Sequence, residues 1–279
     1  MGRTGAMAQE TAMHFDQGCR TQHGADRALS AGRLLLPAGL ALFLVLPLGP
    51  AEAGCQDSPG PGVNWTGCSK ARLILSGDDM TGAVFNGASL GASDLANAGL
   101  AGASFVGAEV TRTRFDGANL ERANFEKVMG WRTSFVGANL QGANLVFADM
   151  SRSSFAKARL AGANLSKSEL NRSDFTGADL TGADLSKAEL ARVSFQNTKL
   201  SGANVSFSNL ARADLSTADL KGVNLTRSYL FLTQLGAADL SGAVGLTQMQ
   251  LDMACGTVQT KLPADLARPA SWPCGDTEQ

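Results

Sequence analysis

Large apolar residues recur every five positions along most of this chain. From Met80 to Leu240 every fifth residue is Leu, Phe, Met or Val, with Gly130 the single exception. Two places before each centre sits Ala, Ser, Thr or Val, except before Met80, where Asp78 stands. A helix repeats its buried face about every 3.6 residues and a strand every 2, so neither accounts for this spacing. A register kept without insertion over such a length means a solenoid, in which each unit buries its apolar side only against its neighbours. One large and one small inward residue per unit fit a chain that bends sharply once every five residues.

A second period of 20 lies over the first. Phe115, Phe135, Phe155, Phe175 and Phe195 form one column, and Leu140, Leu160, Leu180, Leu200 and Leu220 another. Outside, Arg112, Arg132, Arg152, Arg172, Arg192 and Arg212 align, as do Gly142, Gly162, Gly182, Gly202 and Gly222. A repeat of 15 or 25 would scramble all four, so four bends close one square coil of 20 residues. Coils stacked about 4.8 Å apart give roughly eight turns and a length on the order of 40 Å. Burying one centre stabilises by about 1.5–3 kcal/mol, while ordering each residue costs about 1–2 kcal/mol of backbone entropy. One unit therefore cannot hold itself, and the two ends of the stack need covers. At the C-terminal end Thr247 and Gln250 make a capping box, with Leu246 and Leu251 at the staple positions. They predict a short helix over about 248–255, ended by Gly256.

The units GADLTGADLS at 177–186 and GANLQGANLV at 137–146 follow the pattern A-[DN]-L-x-x. With this pattern the chain resembles the pentapeptide repeat family, and its flanks PGPGVNWTGCSKARLILSG and LPADLARPASWPC resemble those of exported bacterial members. The resemblance implies a right-handed quadrilateral parallel β-helix, an all-β solenoid with the central Leu or Phe and the preceding Ala pointing inward. The expected organisation is a signal peptide at 1–53, a disulfide-bearing cap at 54–75, the repeat β-helix at 76–245, and a helix with a second disulfide-bearing cap at 246–279.

The first 53 residues read differently. Arg27 and Arg33 precede the apolar run at 34–49, and AEA follows at 51–53. Basic, apolar, then small-x-small is the order of a secretory signal. The run is short for a membrane span and contains Pro37 and Pro47. Cleavage is expected near Ala53-Gly54, releasing the protein to the periplasm or medium; a retained leader would instead tie it to the membrane. Cysteine usage agrees with export. Cys55 and Cys68 precede the repeats and Cys255 and Cys274 follow them. Of three connectivities, local pairing of Cys55 with Cys68 and Cys255 with Cys274 closes two short loops, each stabilising by about 3 kcal/mol in an oxidising compartment.

Catalytic chemistry is hard to place. His14 and His23 are the only histidines, and both precede the cleavage site, so a mature chain lacks a histidine base or ligand. Asp174, Asp179, Asp184 and Glu189 leave successive faces and do not converge. No enzyme activity, cofactor or metal is expected. The candidate binding surface is Arg132, Arg152, Arg172 and Arg192, with Trp131, Phe147 and Phe207 as aromatic anchors. Like charges about 4.8 Å apart repel by nearly 1 kcal/mol even in water. Glu109, Asp149, Glu169 and Glu189, each three residues before an arginine, suggest a solvated network of surface pairs as the simpler reading. At the one break in the inward column, Gly130, Met129 is expected to fill the gap.

The expected function is a non-enzymatic exported solenoid acting as a protein-binding or structural scaffold, its partner unidentified, with homo-oligomers also open. A topoisomerase-protecting DNA mimic, known in this family, is the first alternative. It fits poorly with the leader and with the 16 acidic and 16 basic residues between 76 and 245, since duplex DNA is uniformly anionic. No nucleic acid partner is expected. An envelope polyanion binder using the Arg column is the second alternative.

Overall fold

Each five-residue unit is built on one β-turn. The N–H of the small inward residue donates to the carbonyl of the preceding centre, as from Ala158 to Phe155 at 3.0 Å. The third turn residue is left-handed, as at Lys157 with φ 58, which is the requirement of a type II turn. The chain then runs straight for three residues, and the middle one faces outward and bridges in parallel to the residue 20 positions on. Arg159 pairs with Asp179 in this way, and the series runs in unbroken register from Asn64↔Val84 to Asn224↔Val244. The result is a right-handed quadrilateral parallel β-helix. The computed structural model describes residues 54–274; the predicted leader, with His14, His23 and the cleavage site, lies outside the described residues.

The coil begins earlier than the boundary expected at 76. Val63 and Trp65 already exchange backbone hydrogen bonds with the next coil, and buried Trp65 meets Phe85 edge-on at 5.7 Å. The segment carrying the first disulfide is thus itself coiled. Its Cys55–Cys68 bridge spans 13 residues, and the Cys255–Cys274 bridge spans 19.

Stacked rings fill the interior. Phe115, Phe135, Phe155, Phe175 and Phe195 lie face to face with centroids 4.6–5.4 Å apart, and Phe85, Phe105 and Phe125 form a second stack meeting the first edge-on. Coil spacing sets this distance, so the ring stack and the hydrogen-bond ladder reinforce each other. At Gly130 the gap is filled by Met150 of the next coil, whose sulfur takes the space a Cβ would need. Met129, expected to fill it, is instead 56% exposed. Its place in the unit is the outward bridging position, and a backbone ladder on both sides leaves it no way to turn inward.

The C-terminal cover is α1 (Gln248–Met253), with the Thr247–Gln250 capping box in place. The buried amide of Gln250 also donates to Leu225 and Ser228 carbonyls at 2.8 and 2.9 Å, satisfying the exposed edge of the last coil. The helix stops at Met253, short of the expected 255, and Gly256 is not its cap. Cys255 N–H donates to Thr233 instead, so that β2 (Cys255–Gly256) pairs in parallel with β1 (Gln234–Gly236). Glycine is needed at 256 for a different reason: a Cβ there would collide with the Trp272 ring.

Candidate functional site

Two adjacent outward turn residues make each corner of the coil, so the four corners are four columns of side chains. One is an arginine corner, carrying Arg112, Arg132, Arg152, Arg172, Arg192 and Arg212. The corner five residues earlier carries Lys127, Phe147, Lys167, Lys187, Phe207 and Arg227. Between them runs one face, whose outward bridging residues are Glu109, Met129, Asp149, Glu169, Glu189, Asn209 and Tyr229. The predicted site residues therefore fall on the two edges of a single face: Arg132, Arg152, Arg172, Arg192 and Trp131 on one, Phe147 and Phe207 on the other.

Every arginine of the corner sits at the left-handed turn position, with φ between 57 and 60. Glycine adopts this conformation freely, whereas another L-residue loses roughly 1 kcal/mol or more there. Such conformations persist where surrounding structure over-determines them. At four of the six arginines a buried hydroxyl contributes, whereas Val193 and Ala213 stand behind Arg192 and Arg212. Thr113, Thr133, Ser153 and Ser173, each next to a corner arginine, donate to the Leu90, Val110, Gly130 and Met150 carbonyls at 2.8–2.9 Å. The Val110, Gly130 and Met150 carbonyls each open the arginine turn of the preceding coil and the Leu90 carbonyl opens the Ala92 turn, so successive corners are tied together through the interior.

The interleaved acids do not pair with these arginines. Among the described residues five ion pairs lie within 4.0 Å, and none includes an arginine of this corner. Glu109 accepts from Ser89 Oγ and Thr111 N–H at 3.1 and 2.9 Å, Asp149 from Ser151 N–H at 3.2 Å, and Glu189 from Asn209 Nδ2 at 2.8 Å. The acid stands in mid-face while the arginine projects from the corner. The turn N–H two residues on is the nearer partner. Elsewhere direct pairing does occur: on another face the Arg114 guanidinium bonds Asp94 and lowers its carboxyl pKa.

The exposed aromatic rings serve as platforms for cations. Arg132 and Arg152 lie over Trp131, 4.2 and 5.8 Å from the ring centroid. Lys167 lies over Phe147 at 4.8 Å, and Arg227 over Phe207 at 5.6 Å. A guanidinium held flat on a ring keeps its N–H edge free for an oxyanion.

Sequence reasoning missed the segregation of charge. This face with its two corners holds ten of the 16 basic and five of the 16 acidic residues between 76 and 245, a net of +5, leaving −5 on the other three sides. It also holds Tyr229 and Phe231, stacked at 6.1 Å. Sorting residues by their place in the 20-residue period would have exposed both facts; counting charges along the chain could not. At the C-terminal end Arg192 and Arg212 line a cleft of about 570 Å³ closed by Thr257, Pro273 and the Cys255–Cys274 bridge.

Comparison with known proteins agrees with this architecture. Residues 148–225 match the pentapeptide repeat region model, and 79–117, 93–128 and 208–244 match the model of pentapeptide repeats in eight copies. Among solved structures the chain is similar to HetL, a pentapeptide repeat protein involved in heterocyst differentiation regulation from the cyanobacterium Nostoc sp. strain PCC 7120. That match has 23% identity and a TM-score of 0.63 over 74% of this chain and 89% of HetL. It is also similar to a trypsin-treated variant of QnrB1, a plasmid-mediated fluoroquinolone resistance protein, with 22% identity and a TM-score of 0.57 over 69% of this chain and 90% of that one. These identities speak to fold alone, and no curated protein matches. The repeat models, the unbroken 20-residue register and the shared coil together establish that the chain belongs to the pentapeptide repeat family.

Proposed function

We propose that the protein is a non-enzymatic, exported scaffold that binds a protein partner through the face between its arginine corner and its lysine–phenylalanine corner. The observation that carries this reading is the segregation of charge: a chain that is neutral as a whole concentrates cations and exposed aromatic rings on one side. Aromatic and arginine side chains are the usual centres of binding energy in interfaces. Export is supported by the predicted leader and by two local disulfides, which persist in oxidising compartments. The DNA-mimic reading requires an acidic surface resembling duplex DNA, and the most distinctive face here is basic.

The test is capture from the envelope fraction of the native host with three immobilised proteins: wild type, Arg132→Glu/Arg172→Glu, and Arg122→Glu/Lys221→Glu on the diagonally opposite corner. A partner retained by the wild type and the opposite-corner variant but lost from the first variant is the expected outcome. Equal capture by all three would remove the face from consideration.

A further inference from the structure

We propose that the arginine corner recognises an acidic, extended polypeptide segment, lying along the column and held by its Asp and Glu carboxylates. This rests on the reading that the basic face is the binding surface, and it specifies the chemistry of the protein partner. Six arginines stand one per coil, their backbones about 4.8 Å apart, and among the described residues none is neutralised by a neighbouring carboxylate within 4.0 Å. Such a row repels itself at the coil spacing, and an anionic segment laid along it relieves that repulsion. Arginine is suited to carboxylates because its planar fork can meet both oxygens at once.

The cation platforms decide which kind of anionic polymer fits. Proteins that hold single-stranded nucleic acid stack bases on exposed aromatic faces, and a sugar ring would need the same open face. Three of the five rings on this face already carry cations, Trp131 with Arg132 and Arg152, Phe147 with Lys167, and Phe207 with Arg227, while Tyr229 and Phe231 stack on each other. The rings hold cations in place, leaving guanidinium edges as the presented groups. That surface suits carboxylate side chains on a flexible chain better than bases or sugar rings.

The mid-face acids set the path of the segment. Glu169 and Glu189 would repel a polyanion centred on the face, so the favoured track is the corner itself. On its far side the next column runs Arg114, Ser134, Ser154, Asp174, Ser194 and Asp214, so a polyanion spread over that face would also meet acids at Asp174 and Asp214.

Poly-L-glutamate is a suitable probe, with heparin as the polysaccharide arm, both measured by fluorescence anisotropy at about 50 and 200 mM salt. The wild type should bind poly-L-glutamate more tightly at the lower salt. Arg172→Glu/Arg192→Glu should weaken that binding by about tenfold or more, and Trp131→Ala by about threefold, by releasing Arg132 and Arg152 from their platform. Arg122→Glu/Lys221→Glu, the same charge change on the opposite corner, should stay within about twofold of the wild type. Circular dichroism of each variant checks that the coil is intact.

Equal losses from both double variants would mean attraction to net charge alone and would overturn the proposal. So would heparin binding more tightly than poly-L-glutamate through the same arginines, which would point to an acidic polysaccharide. Absence of poly-L-glutamate binding, with envelope capture still sensitive to Arg132→Glu/Arg172→Glu, would sink this inference while leaving the binding face standing.

Discussion

The arginine corner and the glycine corner diagonally opposite it are made by the same backbone turn, yet they are built differently. Gly142, Gly162, Gly182 and Gly202 have φ of 63–67, and Arg132, Arg152, Arg172 and Arg192 have φ of 57–60. Behind the glycines lie Ala143, Ala163, Ala183 and Ala203, whereas behind the arginines lie Thr133, Ser153, Ser173 and Val193. An adjoining face on the glycine side carries a single carboxylate in a ladder of amides: Asn144 and Asn224 amides donate to Asn124 and Asn204, and Asn204 donates to Asp184, at 3.0–3.2 Å. The turn itself is best served by glycine, so the arginines are not there for the backbone. They stand in a conformation that costs stability, three of these four backed by a buried hydroxyl, and they project charge that no carboxylate among the described residues pairs.

The largest effect should come from the core that both corners share. Phe155→Ala removes the middle ring of the five-ring stack, and a loss of about 3–5 kcal/mol is expected from chemical denaturation. A loss well below that range would show that the turns and ladders, not the rings, hold the stack together, and the two corners would then differ in stability as well as in chemistry.

A smaller effect separates the corners directly. Nothing lies within 4 Å of a Cβ placed on Gly162, so only backbone conformation opposes a side chain there, and Gly162→Arg should cost about 1 kcal/mol. Arg172→Gly should raise stability by about the same amount, by removing the left-handed arginine and its repulsion from two like-charge neighbours, Arg152 and Arg192. If Gly162→Arg proved neutral in the same denaturation experiment, the contrast between the two corners would be one of composition only. The left-handed φ of 65 at Gly162 is the reason a side chain there is expected to cost stability although it points outward.

The smallest effect concerns the end of the stack and tests whether the cover can loosen while both corners persist. Ser241 and Lys261 hold the Asp239 carboxyl down to about 2, below its ordinary 3.8. Because the folded value is the lower one, the charged carboxylate favours the folded state above pH 3.8, and this contribution fades as pH falls from 3.8 towards 2. The protection factor of the Lys261 amide, which donates to Ala238, should fall across that window after correction for the intrinsic exchange rate at each pH. Asp239→Asn should abolish the acid dependence.

Much of this protein follows from its sequence because its inward geometry is local. A turn every five residues sends each centre and each small residue to the interior, so the coil, the phenylalanine stack, the capping box at Thr247 and the short disulfide loops are all legible from spacing alone. Outward geometry is different, since it depends on how coils stack and where the chain bends. Asp149 and Arg152 are three residues apart and read as a pair, yet one stands in mid-face and the other beyond a corner. Tyr229 and Trp131 are distant in sequence and share a face. Met150 reaches Gly130 across the coil spacing while adjacent Met129 cannot, because its backbone is locked in the ladder on both sides. The tertiary structure alone decided which charges meet, since side-chain partners on a solenoid are chosen by the 20-residue stacking distance and not by closeness along the chain.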